Sequence, residues 1–310
     1  EISACLVGSE MCIRDRSDNN NNWNPGIKDG CDSGLADALK PGMDIPYVDG
    51  RNQGGGRAGV LIAGKADKIR FEDVSMRCLY PTKTQAEVLC IRNKSDNATA
   101  FVRCRFYSQQ DTLLPGGGYN WFYDCYVEGD TDFIWGGNSA CLFESCEVEM
   151  ITSGGRGFNA RVKANNIGYV FSECILTVAE GVTKCRLLEG SDGTGMVDNI
   201  TFVNTTIDKE FFSGGINSED KSMVPIAGYD DNIIRYNKNK DEIGELGEDT
   251  GIKDGCKMYD CTYDDGKPVQ ESGVYGADRI HTLTLEEYNR YFKDRSTVLG
   301  GYADTTWFTE

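Results

Sequence analysis

An aromatic residue followed three positions later by Cys, Val or Thr recurs along the chain, each time inside a short run of β-type residues. The aromatic positions are Phe71, Phe101, Phe122, Phe143, Phe171 and Phe202. The steps between them are 30, 21, 21, 28 and 31 residues. Periods of this size without a helical pattern predict an all-β solenoid, a single-stranded right-handed parallel β-helix with about three short strands per coil.

The same repeat accounts for four of the 13 cysteines. Cys104, Cys125, Cys146 and Cys174 share one repeat position, so we expect an inward-facing column of reduced thiols, because buried cysteine behaves as a small hydrophobic residue. The alternative is a disulfide framework, which would fit a shorter secreted chain better. The sequence contains no CxxC pair, and no structural zinc is predicted.

Other patterns divide the rest of the chain. Thr284 as N-cap and Glu287 as its capping-box partner predict a short C-terminal helix that packs across the solenoid. Residues 229–256 are polar and charged, and they predict a long exposed insertion. Residues 1–17 resemble a translated sequencing adapter and are interpreted as a non-native tail. Residues 18–310 are then one β-helix domain, with its N-terminal coil expected to be truncated.

Charge and histidine content narrow the possible functions. The chain has 49 Asp and Glu against 32 Lys and Arg, a net charge of −17, which argues against nucleic acid or an anionic membrane as the partner. The single histidine, His281, is expected to be structural, so most His-dependent catalytic and metal sites are excluded. Acid–base chemistry is left to carboxylates, and we expect a monomer without metal or cofactor.

Two aspartates hold the same repeat position. Asp111 follows Phe101 by ten residues, and Asp132 follows Phe122 by ten, so the two carboxylates should lie on neighbouring strands about 4.8 Å apart. Like charges this close do not both ionise cheaply, so one pKa should rise and the other stay low, giving an acid beside a nucleophile or base. The alternative is a solvated pair of turn aspartates, and the spacing alone leaves both open.

The segments around this pair resemble those of the pectin methylesterase family of carbohydrate esterases. Five segments agree in order and spacing: QAEVLCIRN (85–93), SQQDTLL (108–114), YVEGDTDFIWG (126–136), ITSGGR (151–156) and TVLGGYADTTWF (297–308). The resemblance implies a secreted β-helix enzyme without cofactor that hydrolyses the methyl esters of homogalacturonan (pectin) to pectate and methanol.

The resemblance also implies a role for individual residues. Asp132 would be the nucleophile that forms an acyl-enzyme, and Asp111 the general acid and then base. Gln85 and Gln110 would donate hydrogen bonds to the oxyanion. Asp130 is expected to face the rim of the cleft, outside the chemistry.

One family element is altered here. The family carries an arginine in a Leu-Gly-Arg-Pro-Trp segment, and the corresponding region reads TKCRLLEGSDG (183–193). Arg186 is the candidate partner of Asp132, because strand alternation would turn Arg186 and Leu188 outward. A surface arginine and a site that has lost this residue are the alternatives. Tyr107, Trp121 and Trp135 are candidates for stacking on sugar rings, and the alternative is that they are core residues. Arg156 is a candidate for binding a galacturonate carboxylate, and the alternative is that it closes a turn.

Other functions suit the same pattern. Carboxylates about 5 Å apart also occur in retaining glycoside hydrolases, and other β-helix enzymes cleave pectin by hydrolysis or elimination. A non-catalytic pectin-binding relative is the third possibility. Methanol without chain cleavage, chain cleavage, and binding alone distinguish these three.

Overall fold

Three parallel sheets run along the molecule in a computed structural model. It describes residues 10–11, 60–64, 68–77, 87–93, 97–138, 140–163, 166–188, 196–215, 252, 255–269 and 280–303. Each turn of the chain adds strands to successive sheets, and the coils stack into a right-handed parallel β-helix. The fold predicted from the repeat is confirmed.

The strands are numbered in chain order. Sheet A contains β1 (Glu10–Met11), β4 (Ser75–Arg77), β7 (Arg105–Tyr107), β10 (Tyr126–Gly129), β13 (Glu147–Met150), β17 (Ile175–Val178), β21 (Thr206–Ile207) and β23 (Thr262–Tyr263). Sheet B contains β2 (Val60–Gly64), β5 (Leu89–Asn93), β8 (Leu113–Gly116), β11 (Thr131–Gly136), β14 (Arg156–Ala160) and β18 (Arg186–Leu188). Sheet C contains β3 (Ile69–Glu72), β6 (Ala98–Val102), β9 (Tyr119–Tyr123), β12 (Ala140–Glu144), β16 (Gly168–Ser172), β20 (Ile200–Val203), β22 (Cys256–Tyr259) and β24 (His281–Thr282). Apart from these sheets, β15 (Val162–Lys163) pairs antiparallel with β19 (Met196–Val197).

The repeated phenylalanines form a continuous stack inside the solenoid. Phe101, Phe122, Phe143 and Phe171 are paired in register along sheet C and are fully buried. Their ring centroids are separated by 4.8, 4.5 and 4.7 Å, with nearly parallel planes. Each coil therefore places the same ring on the one below, which explains why the aromatic recurs.

A left-handed corner between sheets C and A explains the second half of the repeat. The corner residues have φ values between 50° and 54°: Asp73, Arg103, Asp124, Ser145, Glu173, Asn204 and Asp260. The residue after each corner points into the core and, in most coils, donates a hydrogen bond to a turn carbonyl. Cys125 Sγ lies 3.4 Å from the carbonyl oxygens of both Phe101 and Tyr123, and Thr205 Oγ1 makes the same contacts in its own coil.

The predicted thiol column is confirmed. Cys104, Cys125, Cys146 and Cys174 are buried, free of disulfides and stacked at this corner, and Cys261 extends the column. Burial raises the pKa of the Cys261 thiol to about 12, so this group is a neutral S–H donor.

The C-terminal segment packs on the outer face of sheet C. Helix α1 (Leu285–Glu287) begins with the predicted capping box and continues as a π-helix (Tyr288–Phe292), followed by α2 (Arg295–Leu299). Short 3₁₀ helices span Lys209–Phe211 and Gly300–Tyr302.

Two polar contacts anchor this segment. Arg295 Nε donates to Glu144 Oε2 at 2.7 Å, and buried Trp121 donates to the same oxygen at 2.8 Å. His281 Nε2 lies 3.0 Å from Glu287 Oε1. Trp121 is therefore held beneath the C-terminal helices with no exposed surface, and the prediction that it could stack on a sugar ring is wrong.

Two sequence predictions fall mostly outside the described residues. In the predicted insertion 229–256, the structure describes residues 252, 255 and 256, and Cys256 is already the buried first residue of β22. In the suspected tail 1–17, residues 10–11 are described, as strand β1 beside β4.

Two stacked carboxylates on the outer face of sheet A give a prediction for stability. Glu128 pairs in register with Glu149, and the Tyr126 hydroxyl donates to both carboxylates. Burial raises the pKa of Glu128, and the neighbouring Glu149 carboxylate raises it further. A carboxyl group whose pKa is higher in the folded state contributes stability below its unfolded pKa, and this contribution is lost as pH rises through the folded pKa.

Glu128→Gln is therefore expected to raise the free energy of unfolding at pH 7, by no more than about 1 kcal/mol because Glu128 is only half-buried and solvent screens the repulsion. Thermal unfolding at pH 4 and pH 7 measures the effect, which should be seen only at pH 7. Exposed Glu147→Gln on the next strand is the matched control. A Glu128→Gln variant that is less stable than the wild type at pH 7 would contradict this account.

Candidate active site

The two predicted catalytic aspartates lie side by side in sheet B. Gln110 pairs with Thr131, and Leu113 pairs with Ile134, so the same 21-residue offset places Asp111 beside Asp132. The Asp111 N–H donates to the Thr131 carbonyl at 3.0 Å. Neighbouring strands are about 4.8 Å apart, and the repeat therefore brings both carboxyl groups to one place.

A β-bulge sets the orientation of Asp132. Thr131 pairs with Arg156, whereas Ile134 pairs with Phe158, so Asp132 and Phe133 together oppose Gly157. Such an extra residue bends the strand and redirects a side chain. As a result Phe133 and Ile134 both reach the central core, while Asp132 is left half-buried.

Both aspartates have a left-handed backbone. The φ angle is 63° at Asp111 and 49° at Asp132, values that Asp and Asn tolerate better than most residues. Asp111 is 4% exposed, whereas Asp132 is half-buried. The two groups thus share a conformation but differ in their access to solvent, which is the difference that separate acid and nucleophile roles require.

Glu87 is a third carboxyl residue in line with Asp111 and Asp132, and its place at the site was not predicted from the sequence. Leu89 pairs with Leu113, and the Val88 N–H donates to the Thr112 carbonyl at 3.0 Å. The same offset places Glu87, which is 0% exposed, beside Asp111 on the other side from Asp132. The signal available was a lone acidic residue in the apolar run AEVLCI.

The prediction that Asp130 faces the rim is wrong. Asp130 is 1% exposed and occupies the corner between β10 and β11. Its N–H donates to the Gln109 carbonyl at 2.9 Å, and its carbonyl accepts from the Arg156 N–H at 2.7 Å. The backbone of this residue therefore ties three successive coils together directly before β11, the strand that carries Asp132.

Gln110 and Gln85 are the two predicted oxyanion donors. Gln110 is half-buried and forms the bridge to Thr131, one residue before Asp111, so it lies at the site as predicted from the sequence. Gln85 lies outside the described residues.

Arg156 and Arg186 occupy the position that is in register with Gln110 and Thr131, on the next two strands of sheet B. Arg156 pairs with Thr131, and Arg186 pairs with Arg156 on the following coil. Both are half-buried. A contact between Arg186 and Asp132 stays a prediction. Leu188 belongs to the central core, and its predicted outward direction is wrong, because β18 turns two consecutive leucines inward.

The aromatic candidates lie on different faces. Trp135 is 8% exposed and packs with Cys90 and Leu114, apart from the central core, on the outer side of sheet B. Tyr107 belongs to sheet A, where its ring lies 5.4 Å from that of Tyr126. Trp135 therefore shares the sheet of the aspartate pair, and Tyr107 lies on the neighbouring sheet.

Two further features of the described residues bear on the type of site. Among the described residues, no group of three or more His, Cys, Asp or Glu side chains is arranged to hold a metal ion. In the same part of the chain, no helix has the length and apolar character needed to cross a membrane.

Comparison with known proteins gives consistent matches. Residues 58–184 match the family model described as Pectinesterase. Pectinesterase 31 of Arabidopsis thaliana is 33% identical over 126 residues, which are 39% of this chain and 37% of that protein. The chain thus matches little more than a third of the length of this curated relative.

Two solved structures share the fold. Pectin methylesterase PemA from Erwinia chrysanthemi superposes with a TM-score of 0.55 at 19% identity, covering 80% of this chain and 74% of that one. Pectin methylesterase from carrot gives a TM-score of 0.58 at 15% identity, covering 84% and 73%. Both segments that carry Asp111 and Asp132 lie within the region matched by the family model. The resemblance predicted from the motifs is confirmed: residues 58–184 of this chain are similar to the pectinesterase family, and the chain shares the fold of solved pectin methylesterases.

Proposed function

We propose that this chain hydrolyses the methyl esters of homogalacturonan to pectate and methanol, with Asp132 as the nucleophile. The observation that carries the proposal is the register match of Asp111 and Asp132 on adjacent strands, within the segment that matches the Pectinesterase model. Two carboxyl groups suffice for this acyl transfer, so no cofactor forms part of the proposal.

In the first half-reaction, an Asp132 carboxylate oxygen attacks the ester carbonyl carbon, and the carbonyl electron pair moves to its oxygen. When this oxyanion collapses, the bond to the methoxy oxygen breaks. The Asp111 carboxyl gives its proton to that oxygen, and methanol leaves. A mixed anhydride between Asp132 and galacturonate remains.

In the second half-reaction, Asp111 is a carboxylate and takes a proton from water. The water oxygen attacks the galacturonyl carbon of the anhydride, and the bond to Asp132 breaks. The product leaves as galacturonic acid, which loses its proton to the solvent to become the carboxylate. Asp111 is then protonated and Asp132 ionised, as at the start.

Glu87 supports the acid role of Asp111. Carboxyl groups in neighbouring buried positions do not both ionise cheaply, so an ionised Glu87 would favour the protonated form of Asp111. Asp132 is more exposed and lies at the other end of this row, and it is the group best placed to remain ionised.

Two glutamines and one arginine are the other residues proposed to take part in the reaction, on the basis of their sequence position and chemistry. The side-chain amides of Gln110 and Gln85 would donate hydrogen bonds to the oxyanion in each half-reaction. Arg186 would favour the ionised form of Asp132 and limit its rotamers, since an opposite charge stabilises a carboxylate.

The proposed substrate contacts are Trp135 and Tyr107 with sugar rings and Arg156 with a galacturonate carboxylate. Methyl-esterified homogalacturonan is the proposed partner of a monomeric enzyme. Because this polymer lies outside cells, the proposed location is extracellular.

Asp111→Asn tests the division of labour between the aspartates. Asn keeps the left-handed backbone and the size of the side chain but neither donates nor accepts the proton, so methanol release should fall by about 10²–10⁴-fold. Asp260→Asn, at an exposed corner with φ of 50°, is the matched control and should retain wild-type activity. An Asp111→Asn variant within a factor of two of the wild type would refute the acid–base role.

A further inference from the structure

The thiol column at the corner between sheets C and A takes no part in the proposed reaction. Cys104, Cys125, Cys146 and Cys174 are at most 2% exposed and are free of disulfides. They hold the same position on four consecutive coils, away from the aspartate pair of sheet B. Because thiolate sulphur is the protein ligand that soft metal ions prefer, a stack of thiols inside the solenoid is a candidate metal site.

The position of each sulphur atom is set by its own coil. Cys146 Sγ lies 3.3 Å from the Phe122 carbonyl oxygen and 3.4 Å from that of Glu144. The other three sulphur atoms make the corresponding contacts at 3.4–3.6 Å. In addition, the Cys125 N–H donates to Cys146 Sγ at 3.4 Å, which joins two neighbouring positions of the column directly. Successive sulphur atoms are therefore related by the translation from one coil to the next.

The stacked phenylalanine rings measure this translation. The ring centroids are 4.8 Å apart from Phe101 to Phe122, 4.5 Å from Phe122 to Phe143 and 4.7 Å from Phe143 to Phe171. A bond between zinc and a thiolate is about 2.3 Å long, and two metal–sulphur bonds of this length in line span about 4.6 Å. Neighbouring thiols of the column thus have the separation that a linear sulphur–metal–sulphur unit requires.

The number of ligands and their charge select the ion. Zinc takes four ligands, whereas each gap in the column offers two sulphur atoms. Among the described residues, no group of three or more His, Cys, Asp or Glu side chains is arranged to hold a metal ion. The mercuric ion is soft and binds two thiolates in line. Its two positive charges neutralise both thiolates, while a monovalent copper or silver ion would leave one negative charge in the core, where an uncompensated charge is costly.

We propose that the thiol column binds two mercuric ions, one between Cys104 and Cys125 and one between Cys146 and Cys174. At each site two S–H bonds break, two Hg–S bonds form, and two protons leave to the solvent. The buried thiols are reached through local opening of the coils, which exposes parts of a native protein without global unfolding. The inference rests on the fold and does not depend on the proposed esterase activity.

The test loads the protein with the bis-glutathione complex of the mercuric ion in excess glutathione, and elemental mass spectrometry counts the mercury kept per chain after gel filtration. Glutathione competes well with a single protein thiol, whereas two preorganised thiols act together at a high effective concentration. Cys125→Ser removes one pair and should lower the count by one. Cys125→Ser/Cys174→Ser leaves no two neighbouring thiols in the column and should lower the count by two.

Serine should be tolerated at this corner, because a hydroxyl already occupies the same position on the coil that follows Cys174. Thr205 Oγ1 donates to the carbonyls of Phe171 and Val203 at 3.2 and 3.0 Å, the contacts that the thiols make in their own coils. Cys261→Ser is the matched control. Cys261 Sγ makes the same corner contacts, but Thr205 separates it from Cys174, so its loss should leave the mercury count unchanged.

Native mass spectrometry of the loaded wild type gives a second readout that needs no variant. A mercuric ion held between two protein thiols carries no glutathione, so the adducts should contain mercury alone. Zinc offered in the same way should give equal counts in the wild type and Cys125→Ser. Equal mercury counts in these two proteins, an equal loss in Cys261→Ser, mercury that carries one glutathione, or a zinc count that falls with the mercury count would each overturn the proposal.

Discussion

Asp132→Asn should lower methanol release from methylated homogalacturonan by about 10⁴-fold or more, the scale typical of losing a catalytic nucleophile. Asparagine tolerates the left-handed backbone at this position (φ of 49°) and matches aspartate in size, so the bulge and the fold should persist. The loss is then chemical, because an amide oxygen is a far weaker nucleophile than a carboxylate. Circular dichroism and initial rates of methanol release measure both parts of this prediction.

Asp124→Asn is the matched control for this substitution. Asp124 belongs to the same coil and has a φ of 50°, but it is exposed at the corner between sheets C and A. It should keep full activity. Residual activity of Asp132→Asn above about 1% of the wild type would show that another group attacks the ester.

Phe143→Ala should cost about 3–5 kcal/mol of the free energy of unfolding, the usual range for removing a buried aromatic ring. Phe143 is fully buried in the middle of the stack, with Phe122 at 4.5 Å and Phe171 at 4.7 Å. Its removal leaves a cavity between two coils, and the parallel strands cannot collapse into it without breaking their register. Urea unfolding followed by tryptophan fluorescence gives the free energy.

Phe71→Ala provides the comparison. Phe71 is only partly buried and stacks on Phe101 alone among the repeated rings, at 5.3 Å. It should cost less than half as much as Phe143→Ala. A loss below about 1 kcal/mol in the free energy of unfolding for Phe143→Ala would contradict the claim that the stacked phenylalanine rings stabilise the core.

The repeated coils of the fold could be predicted from the sequence because each coil makes the same packing contacts as the one before it. A ring at the Phe122 position must sit on the ring at Phe101, and the Cys125 thiol must meet the turn carbonyls that the left-handed corner exposes. Because the same packing requirement recurs in each coil, the same residue types recur at intervals that can be recognised in the sequence. That spacing also brought Asp111 and Asp132 together correctly.

The features that could not be predicted are local departures from the repeat. The bulge at Asp132 and Phe133 changes the inward and outward alternation within one strand, and no residue type marks it. Leu188 is turned inward for a comparable reason, since two consecutive leucines of β18 face the core. Glu87 and Asp130 are buried by tertiary packing, although their residue type suggests a surface position.

The most direct test of the esterase account is a proton NMR time course of highly methylated homogalacturonan incubated with the folded wild-type chain. The account predicts that the ester methyl signal falls while free methanol rises in equal amount, with no change in polymer length. Cleaved chains without methanol, or no methanol at all from a folded chain, would contradict it.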